Sequence, residues 1–296
     1  MTESPLILLA AGGTGGHLFP AEALGAVLMK RGYRVRLVTD ERAMRYSGLF
    51  SKDMIDVVPS ETVRGRNPLS LARAVAMLSA GAAKAGLLLR RLKPAVVVGF
   101  GGYASVPAML AARLRRLPTL VHEQNAVLGR ANRLVVGRRT MIATAFGTVR
   151  HLAAGDPRVR LVGNPVRDAV RALRDASYQA PTPDGDIRMI GGSQGAASFG
   201  LVIPEAVAAL ADALRRRLRL VQQCRAEDLA RVRAFYAERG IDAECQTFFS
   251  DFPARLAGAH LVVARAGAST VAELTTSGRP SVLIPFPHAT EDHQRA

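Results

Sequence analysis

Three times in this chain a short apolar run ends in glycines and then turns helical. Leu6-Ile7-Leu8-Leu9 leads into Ala11-Gly12-Gly13-Thr14-Gly15-Gly16-His17, and Ala95-Val96-Val97-Val98 into Gly99-Phe100-Gly101-Gly102-Tyr103. Ile187-Arg188-Met189-Ile190 leads into Gly191-Gly192-Ser193-Gln194-Gly195. Glycine at a strand-to-helix junction permits positive φ and lets backbone approach a ligand closely. The helix behind it offers unpaired N–H groups and the positive end of its dipole. Such a junction suits an anion, phosphate above all. Its presence in both halves of the chain predicts two nucleotide-type domains facing each other.

The rest of the pattern agrees. Strand candidates near Leu6–Ala10, Arg34–Val38, Asp56–Val58, Ala95–Val98, Thr119–His122, Met141–Thr144 and Arg160–Val162 alternate with helical patterns. Most are solid apolar runs, as expected of parallel strands covered on both faces. A boundary falls near Gly163-Asn164-Pro165-Val166-Arg167, before the polar stretch Tyr178 to Gly185. The pattern restarts with Ile187–Ile190, Leu218–Gln222, Glu244–Phe248, Leu261–Ala264 and Ser281–Pro285. The expectation is an α/β chain of two Rossmann-like domains, residues 1–163 and 164–296. A helix begins near Thr290 or Glu291, just before the last residue, so a longer natural polypeptide is expected.

Composition narrows the partners. With 296 residues, 49% of them hydrophobic, the chain has material for two cores. Its two cysteines, Cys224 and Cys245, make no disulfide framework and read as interior residues of a reducing compartment. No basic n-region precedes Leu6–Ala11, so no export signal is read. A net charge of +16 favours anionic partners. Scarce aromatics and scattered arginines place nucleic acid well behind an anionic membrane surface. Leu69 to Leu92 is the membrane candidate; Arg73 and Lys84 interrupt it, so no apolar run reaches the roughly 20 residues of a span. Leu71, Val75, Leu78, Ala82 and Ala85 or Gly86 fall near helical spacing, with Arg64 and Arg66 before them and Arg90, Arg91 and Lys93 after. That is an amphipathic helix, either lying on a bilayer or packed on the sheet.

The first glycine loop lacks the Gly-Lys-Ser/Thr of a Walker loop and the spacing of a dinucleotide fingerprint. It ends on His17, a residue suited to proton transfer near neutral pH. Arg265-Ala266-Gly267-Ala268 turns from a strand into a helix carrying Glu273. Near the first turn, Glu273 either caps its own helix or accepts hydrogen bonds from sugar hydroxyls. Pro285-Phe286-Pro287-His288 ends another strand, followed by Asp292, His293 and Gln294. His122-Glu123-Gln124-Asn125 puts four polar residues at a strand's carboxyl end, where ligands bind in such sheets. No cluster has metal-ligand spacing, and no Asp-x-Asp pair stands out as a Mg²⁺ clamp for a nucleotide diphosphate. Any phosphate is therefore left to helix dipoles, N–H groups and Arg167.

As an ordered set these pieces resemble the MurG family, the bacterial N-acetylglucosaminyltransferases of peptidoglycan synthesis. The matching residues are Gly12 to His17 with Pro20, Gly99 to Ser105, His122 to Asn125, Gly163 to Arg167, Gly191 to Ala196, Arg265 to Glu273, and Pro285 to Gln294. The resemblance implies a B-type glycosyltransferase fold with a cleft between two Rossmann-like halves. It implies inverting transfer of N-acetylglucosamine from UDP-GlcNAc to the C4 hydroxyl of the muramyl sugar of lipid I, giving lipid II, without a metal. It also implies a peripheral place on the cytoplasmic face of the inner membrane, among other cell-wall and division proteins. Ser193, Gln194 and Gly195 are implied to hold the diphosphate, with Arg167 near it and Ala268 in the facing turn. The backbone of Phe249 is implied to meet uracil, Glu273 the ribose, and Gln294 and Asn125 the donor sugar. The acceptor pyrophosphate is implied to lie on Thr14, Gly15, Gly16 and His17 and on Gly101, Gly102 and Tyr103. His17 is the candidate base and Glu123 the runner-up; the residues themselves do not decide between them. His293 stands where the family commonly has glutamine. A related lipid glycosyltransferase and a non-catalytic UDP-sugar-binding homologue stay open as alternatives.

Overall fold

Solid apolar runs build the strand layers, and the helices between them cover both faces. The computed structural model describes residues 4–12, 15–41, 48–60, 68–192, 197–287 and 292–295. The chain divides into two compact units between Arg167 and Asp168, four residues beyond the boundary expected from sequence at 163/164.

The first unit contains β1 (Leu6–Ala10), α1 (Gly15–Lys30), β2 (Arg34–Thr39), β3 (Ile55–Val57), α2 (Pro68–Leu92) and β4 (Val96–Gly99). It continues with α3 (Val106–Leu114), β5 (Thr119–Glu123), α4 (Arg130–Val135), β6 (Met141–Thr144) and β7 (Val159–Leu161). Its seven strands pair in the order β3-β2-β1-β4-β5-β6-β7, every pair parallel. Alternation along β1 splits its side chains between two cores. Leu8 and Ala10 pack with Val97, Val121 and the α2–α4 residues Ala85, Leu89, Met109 and Val135. Ile7 and Leu9 pack on the other face with Leu18 and Ala21 of α1, Leu37 and Phe100. Burying each of the larger of these side chains, the valines, leucines, isoleucine, methionine and phenylalanine, stabilises the fold by about 1.5–3 kcal/mol.

The second unit repeats this plan with α5 (Asp168–Arg171), β8 (Ile187–Gly192), α6 (Phe199–Ala208), α7 (Asp212–Arg217), β9 (Leu218–Gln223) and α8 (Ala226–Glu238). Then follow β10 (Ala243–Gln246), α9 (Phe252–Ala257), β11 (Leu261–Arg265), α10 (Ala268–Ser277) and β12 (Ser281–Ile284). Its parallel order is β10-β9-β8-β11-β12. Cys224 and Cys245 are buried free thiols of its core. All twelve strands fall where the apolar runs predict them, within two residues at either end.

The Leu69–Leu92 segment is α2. By length and composition its stretch Ala72–Leu92 is apolar enough to cross a membrane, with a mean hydropathy of 1.3. It is instead one layer of the first unit, with Ala74, Gly81, Ala85 and Leu89 turned inward and α3 alongside. Its opposite side stays open, with Val75 55% and Leu87 69% exposed. Between α2 and α3 runs a groove of about 390 Å³ lined by Val75, Leu78, Ser79, Ala82, Leu110, Arg113 and Leu114.

Candidate functional site

In the first sheet the strand order reverses between β1 and β4, so the loops after those strands leave in opposite directions and open a crevice. Both glycine runs of the first half lie there. A Cβ on Gly12 would collide with the Cβ of Ala104, in the turn after β4. Gly101 and Gly102 take φ of +86° and +74°. A Cβ on Gly101 would lie 3.2 Å from His17 Cε1, and one on Gly102 would lie 3.2 Å from His17 Cδ2. The second glycine run is thus shaped to receive the imidazole of His17, the third residue of α1. Gly15 and Gly16 open that helix, and Tyr103 opens the short 3-10 turn Tyr103–Ser105 that feeds α3.

The end of β5 completes this arrangement. His17 Nδ1 lies 3.2 Å from Gln124 Oε1. Gln124 Nε2 lies 3.0 Å from Phe100 O, 3.1 Å from His122 O and 3.1 Å from His122 Nδ1. His122 Nε2 lies 3.0 Å from Gly163 O. A carbonyl oxygen only accepts, so His122 donates from Nε2 and carries its lone pair on Nδ1. Burial pushes the His122 pKa down, against the Gly163 hydrogen bond and the nearby Glu123 charge, and keeps the ring neutral.

Glu123, 1% exposed, accepts from Asn125 N at 3.0 Å and Asn125 Nδ2 at 3.1 Å on Oε1. Its Oε2 accepts from Gly129 N at 2.9 Å and Asn132 Nδ2 at 2.7 Å. A carboxylate so engaged holds the loop that presents Asn125. Among the described residues Asn132 Oδ1 has no hydrogen-bond partner, and it faces the Cα of Gly101, 3.4 Å from where a Cβ would be. Arg167 lies with the first unit, its guanidinium 4.3 Å from the centre of the Phe19 ring in α1. One turn on from Phe19, burial raises the carboxyl pKa of Glu22, against the N–H groups of Leu49 and Gly48 and the charge of Arg167.

The second sheet reverses between β8 and β11. Gly192 ends β8 at φ +123°, where a Cβ would collide with Gln223 O. Thr14, Ser193, Gln194 and Gly195 lie outside the described residues. On the other side of the reversal, Ala268 is the first residue of α10, after Gly267. Glu273 is the sixth residue of that helix and buried. That is the second turn of α10, one turn further along than the first-turn position expected from sequence. Phe249 is buried just after β10, with the Arg255 guanidinium 4.5 Å from its ring centre. Gln294 Oε1 accepts from Phe286 N at 2.8 Å, which leaves its amide group as the donor it can offer.

Two sequence models cover most of the chain: the glycosyltransferase family 28 N-terminal domain matches residues 7–144, and the family's C-terminal domain matches residues 187–296. The chain belongs to glycosyltransferase family 28. It is 58% identical over 299 residues to the UDP-N-acetylglucosamine--N-acetylmuramyl-(pentapeptide) pyrophosphoryl-undecaprenol N-acetylglucosamine transferase of Rhodopseudomonas palustris strain BisA53, covering all of this chain and 80% of that protein. Among solved structures, Acinetobacter baumannii MurG matches with a TM-score of 0.68 at 26% identity over 99% of this chain and 80% of that one. The calicheamicin glycosyltransferase CalG4, at 16% identity and TM-score 0.65 over 99% of this chain and 82% of that one, shares the fold.

In this member of family 28 the first unit sets Gly101 and Gly102 against the His17 imidazole, with Gly15 and Gly16 opening the helix that carries it and Tyr103 following the second glycine run. In the second unit Phe249, Ala268 and Glu273 follow the carboxyl ends of β10 and β11. Three framework residues were not singled out from sequence: Gln124, Asn132 and Arg265. Arg265 ends β11 and donates to Pro285 O at 3.0 Å, Ile284 O at 3.3 Å and Ser198 Oγ at 2.6 Å. It ties the start of α6 to the segment after β12, and burial lowers its pKa without discharging it. Its signal was present, in the small-residue turn it heads. Gln124 lay inside a polar run already marked as a lining. Asn132 gave no signal, because burial inside a short helix is not readable from neighbours. Among the described residues no group of three or more His, Cys, Asp or Glu side chains is placed to hold a metal ion.

Proposed function

We infer that the chain transfers N-acetylglucosamine from UDP-GlcNAc to the C4 hydroxyl of the muramyl sugar in undecaprenyl-pyrophosphoryl-MurNAc-pentapeptide, converting lipid I to lipid II for peptidoglycan synthesis. The observation that carries this reading is the 58% identity, along the whole chain, to a relative named for that transfer. The His17 crevice supplies a means. His17 takes the proton of the acceptor hydroxyl as its oxygen attacks C1 of the donor sugar, on the face opposite UDP. The bond from C1 to the β-phosphate oxygen breaks, its electron pair leaves with UDP, and the α-linked donor becomes a β-linked product.

Ser193, Gln194, Gly195 and the helix behind them hold the leaving diphosphate, and helix-end N–H groups favour its developing charge. Arg167 lies near that diphosphate, Ala268 lines the facing turn, Phe249 meets uracil by its backbone, and Glu273 takes the ribose hydroxyls. Gln294 and Asn125 contact the donor sugar. The acceptor pyrophosphate lies on Thr14 to His17 and Gly101 to Tyr103, and no divalent ion is required. The α2–α3 groove, with Arg90, Arg91 and Lys93 at the end of α2, supports a peripheral seat on the cytoplasmic face of the inner membrane.

Incubation with radiolabelled UDP-GlcNAc and a lipid I analogue tests the reading. It expects labelled lipid II, undiminished by EDTA. Donor binding without product would establish the non-catalytic alternative, and transfer to diacylglycerol instead would establish the related lipid glycosyltransferase.

A further inference from the structure

We propose that Gln124 is a positioning residue that fixes the tautomer of His17, holding the imidazole proton on Nδ1 and leaving the lone pair on Nε2. The inference rests on the reading of His17 as the base. A side-chain amide can face either way unless its neighbours decide. Here they do. Its Nε2 end faces the carbonyl oxygens of Phe100 and His122, at 3.0 and 3.1 Å. Both are acceptors only, so the reverse orientation would set oxygen against oxygen twice. A third acceptor, His122 Nδ1, lies at 3.1 Å, and it is an acceptor because the other ring nitrogen donates to Gly163 O. Gln124 is 2% exposed, so no water stands in for these partners.

With the amide so pinned, Oε1 is what His17 Nδ1 meets, at 3.2 Å. That oxygen can only accept, and Nδ1 must carry the hydrogen. In a neutral imidazole the lone pair then belongs to Nε2. Turning the ring over would set the Cδ2 hydrogen against Oε1 and forfeit the bond. Gly101 and Gly102 lie on the ring's Cε1 and Cδ2 sides, where a Cβ at either would press 3.2 Å from it. Gln124 thereby ties the start of α1 to the loop after β4 and the end of β5. Losing the tautomer while keeping the ring costs rate and spares donor affinity, as for any base presented with its proton on the wrong nitrogen.

The test is long-range ¹H–¹⁵N NMR of the full chain labelled with ¹⁵N-histidine, near pH 8, with His17 assigned by loss of its signals in His17→Gln. The wild type is expected to show His17 protonated on Nδ1 and bare at Nε2. In Gln124→Met, which keeps the length and removes the acceptor, the ring is expected to move toward the Nε2–H form. There kcat should fall about tenfold or more, with KM for UDP-GlcNAc within about twofold of wild type. A wild-type His17 protonated on Nε2 overturns the proposal, and so does a folded Gln124→Met that keeps the Nδ1–H signature. If Gln124→Met does not fold, the wild-type spectrum alone decides. Absence of any transfer by the wild type would defeat the functional reading and leave the tautomer measurement standing, so the two failures are told apart.

Discussion

At the scale of single residues, the first unit spends its glycines on a histidine. Gly101 has positive φ and a Cβ there would press 3.2 Å from His17 Cε1, so Gly101→Ala meets both backbone strain and a displaced ring. The expected cost is about 1–3 kcal/mol of stability, with kcat lowered and donor KM little changed; a melting curve and steady-state kinetics check both. In the proposed reading His17 serves the acceptor and Glu273 the donor, so their variants should separate the two substrates. His17→Ala should reduce kcat by about a hundredfold or more, as removal of a general base does, and spare UDP-GlcNAc affinity in calorimetric titration. Glu273→Ala should do the reverse and weaken donor binding by about tenfold, the loss of a charge-assisted hydrogen bond or two. A His17→Ala protein that turns over like wild type would remove the base from this residue. Glu123, with its oxygens taken by Asn125, Gly129 and Asn132, holds Asn125 in place.

At the scale of elements, strands were legible because solid apolar runs between glycines and helical patterns have few other solutions. Leu6–Ala10 and Met141–Thr144 begin and end where the sequence puts them. The crevice was legible for the same reason, since its glycines mark the strand ends at the order reversal. What holds it together was not, because Gln124 and Asn132 act through burial and through partners on other elements, the farthest of them 107 residues away. Whether α2 packs on the unit or lies open was likewise undecidable from spacing, and the structure answers with both. Ala85 and Leu89 are buried, while Val75 is 55% and Leu114 on α3 is 82% exposed. If this groove meets lipid, Val75→Glu with Leu114→Glu should weaken sedimentation with vesicles containing anionic lipid by about tenfold or more, through lost apolar contact and like-charge repulsion. Exposed positions tolerate such changes within about 0.5 kcal/mol, so the fold and UDP-GlcNAc binding should persist. Unaltered vesicle binding would move the membrane contact elsewhere.

At the scale of the whole molecule, each unit has among its described residues a histidine whose pKa folding lowers, and this shapes its response to acid. In the first unit burial lowers the pKa of His122. In the second, burial and the charges of Arg188 and Arg279 lower that of His260, whose Nδ1 accepts the Arg188 N–H at 3.0 Å. An unfolded histidine titrates near 6.5. Below that the unfolded chain takes up protons that the native chain refuses, so stability is full above about pH 6.5 and falls as pH drops through and below it. The ceiling for His122 is about 1.4 kcal/mol per pH unit, and the paired carboxylates, such as Asp156 held down to about 2 by Arg158, titrate too low to enter this range. Glu22, whose carboxyl is raised by burial, works in the opposite sense from about 4.5 upward and moderates the slope. The histidine part is isolated by His260→Asn, whose side-chain oxygen can still accept from Arg188 N–H yet takes up no proton. Denaturant melts between pH 7.5 and 5.5 should show the wild type losing stability more steeply than this variant. Equal slopes would mean that His260 charges as readily in the folded chain as in the unfolded one.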